Sequence, residues 1–170
     1  MLRFTNFVYV VSAILLSSPA FSHAEADSTY MADFGCVDGK YGLRLPKQLP
    51  DVLKLGKGKK LEAGDVDVWS NGDTTRRNYL RFRGFTLTYI SYSNDSNRYM
   101  VVAAEITDSA WQRLSPFRIG ASIEATRQQL KPFSENDELL KYDYGSEAGE
   151  VKFETRGGVI SKIIYSCYTG

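Results

Sequence analysis

The side chains able to do chemistry are few, and two of them are thiols. Cys36 and Cys167 are the only cysteines in the 170-residue chain. They form no C-x-x-C pair, and no basic neighbour is placed to lower a thiol pKa, so a structural disulfide is expected rather than a redox couple. Such a bond closes almost the whole domain; a loop of that length contributes about 4–5 kcal/mol in the chain-entropy model. The single histidine, His23, lies in a leader expected to be removed. Without it a Ser-His-Asp triad, a Cys-His dyad, an imidazole shuttle and a Cys/His zinc site each lack a member. There is no P-loop, G-x-G-x-x-G, G-x-S-x-G or H-E-x-x-H motif. The chain holds 20 acidic residues, and nothing marks two of them as a catalytic pair. No catalytic residue, metal ligand or cofactor site is assigned, and the chain is not expected to be an enzyme.

The remaining chemistry is that of contact. There are 11 tyrosines, and Tyr89, Tyr92, Tyr99, Tyr142, Tyr144 and Tyr165 lie on or beside strand-like segments. Tyrosine offers contact area at low entropic cost and is enriched at protein interfaces. The segment Tyr92-Ser93-Asn94-Asp95-Ser96-Asn97-Arg98 reads as a polar hairpin flanked by aromatic residues. Its shape suits entry into a partner's cleft. The residues expected to bind a partner are therefore Tyr89, Tyr92, Asn94, Asp95, Asn97 and Arg98, with Tyr142, Asp143 and Tyr144 on a second strand.

Charge bounds the kind of partner. The chain has 21 Lys and Arg against 20 Asp and Glu, and the leader removes Arg3, which leaves 20 against 20. Zero net charge disfavours nucleic acid. The zero is a sum of opposites: residues 40–83 hold 11 basic and 5 acidic groups, and residues 135–154 hold 7 acidic and 2 basic. A polarised surface of this kind can steer a charged protein. Arg76, Arg77, Arg81 and Arg83 form the densest basic cluster.

The elements that position these residues begin after the leader. Met1–Ala24 has a basic start at Arg3, an apolar run over Phe7–Leu16 and small residues at Ser22 and Ala24, the pattern of a cleaved signal peptide. The 10-residue apolar run is half of the roughly 20 residues that a membrane-spanning helix needs. No cysteine follows it at lipobox distance. A periplasmic protein, or a secreted one outside Gram-negative cells, with no stable membrane anchor is expected.

Residues 25–40 read as an N-terminal segment that carries the first cysteine. Leu49–Gly56 suggests a short helix stopped by glycine. Lys54–Lys60 reads as a solvated loop, Asp65–Ser70 as a strand and Asn71-Gly72-Asp73 as a turn. Tyr79–Arg83 and Phe85–Ile90 read as one β segment interrupted at Gly84, paired as a hairpin with Tyr99–Thr107. Ser122 is a natural N-cap for a helix over Ile123–Leu130, with Glu124 in its first turn. Leu139–Tyr144, Glu150–Glu154 and Val159–Cys167 follow as strands, the last entered through Gly157-Gly158.

Leu43-Arg44-Leu45 before the first helix matches Phe117-Arg118-Ile119 before the second, about 74 residues later. This predicts an internal duplication, with a first module over residues 41–110 and a second over 111–170. The segment Ile119-Gly120-Ala121-Ser122-Ile123-Glu124-Ala125-Thr126-Arg127-Gln128-Gln129-Leu130 resembles the helix opening of β-lactamase-inhibitor-protein-like modules. It also resembles the related SmpA/OmlA-type modules of outer-membrane-assembly lipoproteins. Gly149–Glu154 and Gly157–Ile163 resemble the ending of those modules.

The resemblance implies an α+β fold in which two helix-plus-antiparallel-strand modules in tandem share one broad sheet, with the helices on one face. It also implies a binding protein that inhibits or neutralises an envelope hydrolase or a secreted toxin by occlusion. A structural or assembly role in the envelope is the alternative. The first copy departs from the second, with Pro46 in place of Gly120 and Gln48 in place of Ser122. No inhibitory residue of the family maps onto this chain.

Overall fold

A computed structural model describes residues 35–130, 143–146 and 149–167. Seven strands form one antiparallel sheet: β1 Lys60–Val68, β2 Thr74–Phe82, β3 Phe85–Tyr92, β4 Asp95–Ile106, β5 Asp143–Ser146, β6 Gly149–Arg156 and β7 Val159–Cys167. Their order across the sheet is β1-β2-β3-β4-β7-β6-β5. The helical elements are short: α1 Leu49–Val52, a 3₁₀ turn Ser109–Leu114 and α2 Ile123–Leu130.

This corrects the expected architecture. The molecule is dominated by one sheet and is not a pair of helix-plus-strand modules with helices on one face. The matching tripeptides do not open equivalent units. A four-residue helix and four strands follow the first, whereas an eight-residue helix and three strands follow the second. The helix expected over Leu49–Gly56 stops at Val52, because Lys54 and Leu55 donate to Asp51 and Val52 and tighten the chain into i→i+3 turns. The second helix starts as expected. Ser122 Oγ accepts from the Ala125 N–H at 3.4 Å, and Glu124 sits in the first turn.

Period-two alternation explains the core. Leu80, Leu87, Ala104, Tyr165 and Val151 are register partners in succession across five strands, and all five are buried. Phe82, Phe85, Ile106, Ile163 and Phe153 form the adjacent row on the same face. A layer made mostly of irregular chain closes over them and contributes Tyr41, Leu43, Leu45, Leu49, Val52, Leu114, Phe117, Ile123 and Leu130. Aromatic contacts bind layer to sheet. Trp111 lies 5.0 Å from both Phe82 and Phe85, and Phe117 meets Phe153 edge-on at 4.9 Å. The Trp111 indole donates to the Arg83 carbonyl at 2.8 Å.

Turns set the strand register. Phe82 pairs with Phe85, so Arg83-Gly84 is a two-residue hairpin turn and not an interruption within one strand. Gly157 and Gly158 both have positive φ, which the two-residue turn between β6 and β7 requires. Cys36 and Cys167 are disulfide-bonded, with Cα atoms 5.4 Å apart and 131 residues between them in sequence. Among the described residues no helix is long and apolar enough to cross a membrane.

Candidate interaction surface at the open end of the sheet

The covered sheet ends partway along β4. Among the described residues that strand pairs with β7 over Ala103–Ile106. Its first half, Asp95–Val102, continues past the end of β7 with β3 beside it. At this end the β1–β2 loop, Trp69–Asp73, lies against the β3–β4 turn, Ser93-Asn94. The Ser93 N–H donates to the Thr74 carbonyl at 2.9 Å, and the Thr74 N–H donates to Ser93 Oγ at 2.8 Å. Asp73 Oδ2 accepts from Asn71 Nδ2 at 2.8 Å and from Asn94 Nδ2 at 2.9 Å. The Asp73 N–H in turn donates to Asn71 Oδ1 at 3.0 Å. Two hairpin tips are thus tied into one rigid end.

This end presents a defined set of side chains. Trp69 is 59% exposed, and its indole N–H donates to Thr75 Oγ1 at 3.3 Å, which fixes the ring. The Arg98 guanidinium lies 4.3 Å from the centroid of the Tyr92 ring. The Tyr92 hydroxyl donates to Met100 Sδ at 3.8 Å. Trp69, Tyr92 and Arg98 line a shallow cleft of about 320 Å³ rimmed by Asn71, Asp73 and Asn94. The cleft combines aromatic with hydrogen-bonding side chains, a composition suited to a contact patch.

The residues expected to bind a partner divide accordingly. Tyr92, Asn94 and Arg98 meet in the cleft, and Asp95 lies beside them, accepting from the Asn97 N–H at 2.9 Å. Asp95 through Arg98 are strand residues, so the polar turn shrinks to Ser93-Asn94. Tyr89 is 2% exposed and packs edge-on against Tyr99 at 6.2 Å. Its burial raises its pKa, and its ring belongs to the core. Asp143 and Tyr144 lie on β5 at the opposite edge of the sheet, in register with Lys152 and Val151. Tyr142 lies outside the described residues.

Trp69 was not among the residues expected to bind a partner, although Asp65–Ser70 reads as a strand and overlaps β1. Among the described residues the exposed large apolar side chains are Leu61 (51%), Val66 (44%), Val68 (73%), Trp69 (59%) and Val159 (39%). Four of these five lie on β1 or its turn. Leu61 is in register with buried Leu80 and so stands on the core side, but the covering layer stops at β2. The sequence signal was the alternation Val66-x-Val68 running into Trp69 just before an Asn-Gly turn. It was obscured by the lysines that precede it.

Charges on the other face of the sheet are paired locally. Lys60 and Arg81 both reach Glu62, at 2.6 and 3.5 Å. The hydrogen bond and charge of Lys60, reinforced by Arg81, hold the Glu62 carboxyl below its ordinary pKa. Lys152 pairs with Glu150 at 2.7 Å and Lys162 with Glu154 at 2.8 Å. Lys162 is thereby held protonated above its ordinary range, chiefly by the Glu154 hydrogen bond. The acids of β6 are thus met by lysines of their own half, and the arginine cluster is not one patch. Arg76 and Arg77 are successive strand residues on opposite faces, Arg81 serves Glu62, and Arg83 lies in the turn.

A second cleft, of about 380 Å³, lies beside the disulfide and is lined by Val37, Leu45, Pro46, Tyr99, Val101 and Cys167, among others. Tyr99 donates its hydroxyl to the Pro46 carbonyl. Burial, with a contribution from Asp38, pushes its pKa up to about 12. Among the described residues no group of three or more His, Cys, Asp or Glu side chains could hold a metal ion. No family model, curated protein or solved structure matches the chain.

Proposed function

We propose that this is an exported binding protein that neutralises a protein partner in the cell envelope by occlusion. The partner is a hydrolase or a secreted toxin, which makes the chain a hydrolase inhibitor or an immunity protein. The observation that carries the reading is the rigid open end, where Trp69, Tyr92 and Arg98 share one exposed cleft. Trp, Tyr and Arg are the side chains most enriched among binding hot spots. Here each is held by the fold: Trp69 through Thr75, and Tyr92 and Arg98 through each other and Met100. A surface fixed before contact loses little entropy on binding.

In this mechanism the two joined hairpin tips enter the partner's cleft. The Trp69 indole supplies apolar burial. Arg98, held over the Tyr92 ring, donates to a carboxylate or a carbonyl. Asn71 and Asn94 complete the rim. No bond is made or broken by this chain. The disulfide supports the exported location, because such bonds persist in oxidising compartments.

The test is recovery of the partner from an envelope fraction on the immobilised mature chain, followed by an activity titration. A one-to-one complex is expected, with a hydrolase or toxin whose activity falls to zero at stoichiometric addition. Absence of any stoichiometric complex, or a complex in which the partner keeps full activity, overturns the reading.

A further inference from the structure

The cleft at the open end differs in kind from the one beside the disulfide. Val37, Leu45, Pro46, Met100 and Val101 give the latter a largely aliphatic lining. The open-end cleft is lined by Trp69, Tyr92 and seven polar or charged residues, with no Leu, Ile, Val, Met or Ala among them. Small-molecule sites usually span about 300–1,000 Å³ and have mostly apolar walls. At about 320 Å³ this cleft has the volume without the aliphatic walls. The charged residues of its lining are Asp73 and Arg98, one of each sign.

The polar rim is fixed, and only part of its hydrogen-bonding capacity is used. Asp73 Oδ2 accepts from the Asn71 and Asn94 amides, while Asp73 Oδ1 accepts from none of the described residues. Each amide nitrogen carries two N–H groups and commits one of them to this carboxylate. An acceptor and two donors are thus gathered around a single side chain. The aromatic residues are arranged the other way. The Trp69 N–H is bound to Thr75 Oγ1 and the Tyr92 hydroxyl to Met100 Sδ, which leaves the ring faces for contact. Arg98 lies over Tyr92, and Trp69 stands 59% exposed.

We propose that this cleft binds one pyranose ring of a neutral saccharide. A hexopyranose has a face of C–H bonds, which packs on an aromatic ring. Its edge carries vicinal hydroxyls, each at once a donor and an acceptor. Trp69 takes the face. Asp73 Oδ1 accepts from one hydroxyl, and the spare N–H groups of Asn71 and Asn94 donate to its neighbours. Arg98, held over Tyr92, adds further donors at the same rim. An aliphatic ligand would match neither the ring nor the rim. Asp73 offsets Arg98, so the lining does not select an anionic sugar. Saccharide binding needs only the cleft and does not rest on the protein partner proposed above, which would compete for it.

The chain has two tryptophans, and Trp111 packs with Phe82 and Phe85 and does not line the cleft. Two-dimensional NMR of the isotope-labelled, disulfide-intact mature chain therefore reads the site directly through its indole N–H signals. The probes are trisaccharides of glucose, galactose, mannose and N-acetylglucosamine, each taken to about 20 mM. A saturable shift of the Trp69 signal is expected with at least one of them, with a dissociation constant near about 1 mM for so shallow a site. The Trp111 signal should stay in place. Trp69→Ala should abolish binding, read on the side-chain amides of Asn71 and Asn94, and Trp69→Phe should keep it within about threefold. Asn94→Ala should weaken it at least about fivefold, with an unmoved Trp111 signal in the free protein showing that the fold is intact. No saturable shift with any of these sugars overturns the proposal. So does binding confined to saccharides that carry a carboxylate or phosphate, or binding that survives Trp69→Ala. The titration uses the chain alone, so its failure leaves the protein-partner reading standing, and failure to recover a partner leaves saccharide binding standing.

Discussion

Leu80 and Leu61 are register partners on adjacent strands, facing the same side of the sheet. Leu80 is fully buried and Leu61 is 51% exposed. One strand spacing separates a closed hydrophobic core from an uncovered edge. Toward β7 the sheet is sealed by Leu43, Val52, Leu114 and Leu130, all at most 3% exposed, and the covering layer is joined covalently to β7 at Cys36–Cys167. Toward β1 and the hairpin tips nothing among the described core residues reaches Leu61, Val66, Val68 or Trp69. Monomeric proteins seldom leave a contiguous apolar patch open without a use for it. The two regions divide the labour: one supplies stability, and the other supplies surface.

Substitutions should separate the regions by the size and kind of their effects. The largest loss is expected in the closed region. Leu87 is fully buried in the central row, and Leu87→Ala should cost about 3 kcal/mol through lost burial and a residual cavity, read as a lower denaturation midpoint. A cost below about 1 kcal/mol would mean the core is far looser than its burial indicates.

Next comes the buried hydrogen bond between Ser115 Oγ and the Tyr165 hydroxyl, 2.7 Å long, which ties the covering layer to β7. Ser115 Oγ also accepts from the Phe117 N–H at 3.0 Å, so it keeps one partner when the phenol is removed. Tyr165→Phe should therefore cost only about 1 kcal/mol. Burial holds the Tyr165 phenol far above its ordinary pKa. An unchanged midpoint in Tyr165→Phe would show that the bond adds nothing to the closure.

A smaller effect is expected at the boundary. Tyr99 is half-buried, and its pKa is raised from 10 to about 12. A raised folded-state pKa means that the native state holds the proton more tightly. The contribution is thus fully present below pH 10 and is lost as pH rises through about 12. Melting temperature followed against pH should fall in that window, and Tyr99→Phe should flatten the part of the fall that belongs to this residue. Identical alkaline profiles for the two proteins would remove Tyr99 from the explanation.

Much of the closed region was legible in the residues themselves. The cysteine pair, the Ser122 cap, the Gly157-Gly158 turn, the body of β3 as far as Ile90, that of β4 from Tyr99 onward and the strand over Val159–Cys167 all follow from local chemistry. The open region was harder to read. Lys57, Lys59 and Lys60 resemble a solvated loop, yet β1 starts at Lys60 because an edge strand leaves its side chains in water on both faces. Gly84 resembled a flaw within one strand because propensity is the same on both sides of a two-residue turn. The polar run Asp95–Arg98 became strand because β3 lies beside it and supplies the pairing. Tyr89 and Tyr92 share composition and neighbourhood, and only the register sends one into the core and the other to the cleft. Pairing between distant segments decided each of these cases, and no local pattern contains it.

The division of labour is tested most directly at Trp69, in one variant with two readouts. Trp69→Ala removes an exposed ring from the open end; it touches none of the hydrophobic core and loses one hydrogen bond, to the Thr75 hydroxyl. It should leave the denaturation midpoint within about 0.5 kcal/mol of wild type. The same variant should lose partner capture and inhibition by at least about 2 kcal/mol, a factor of roughly 30 in affinity. A Trp69→Ala protein that is as destabilised as Leu87→Ala, yet still captures and silences its partner fully, would show that the open end is part of the scaffold and not the working surface.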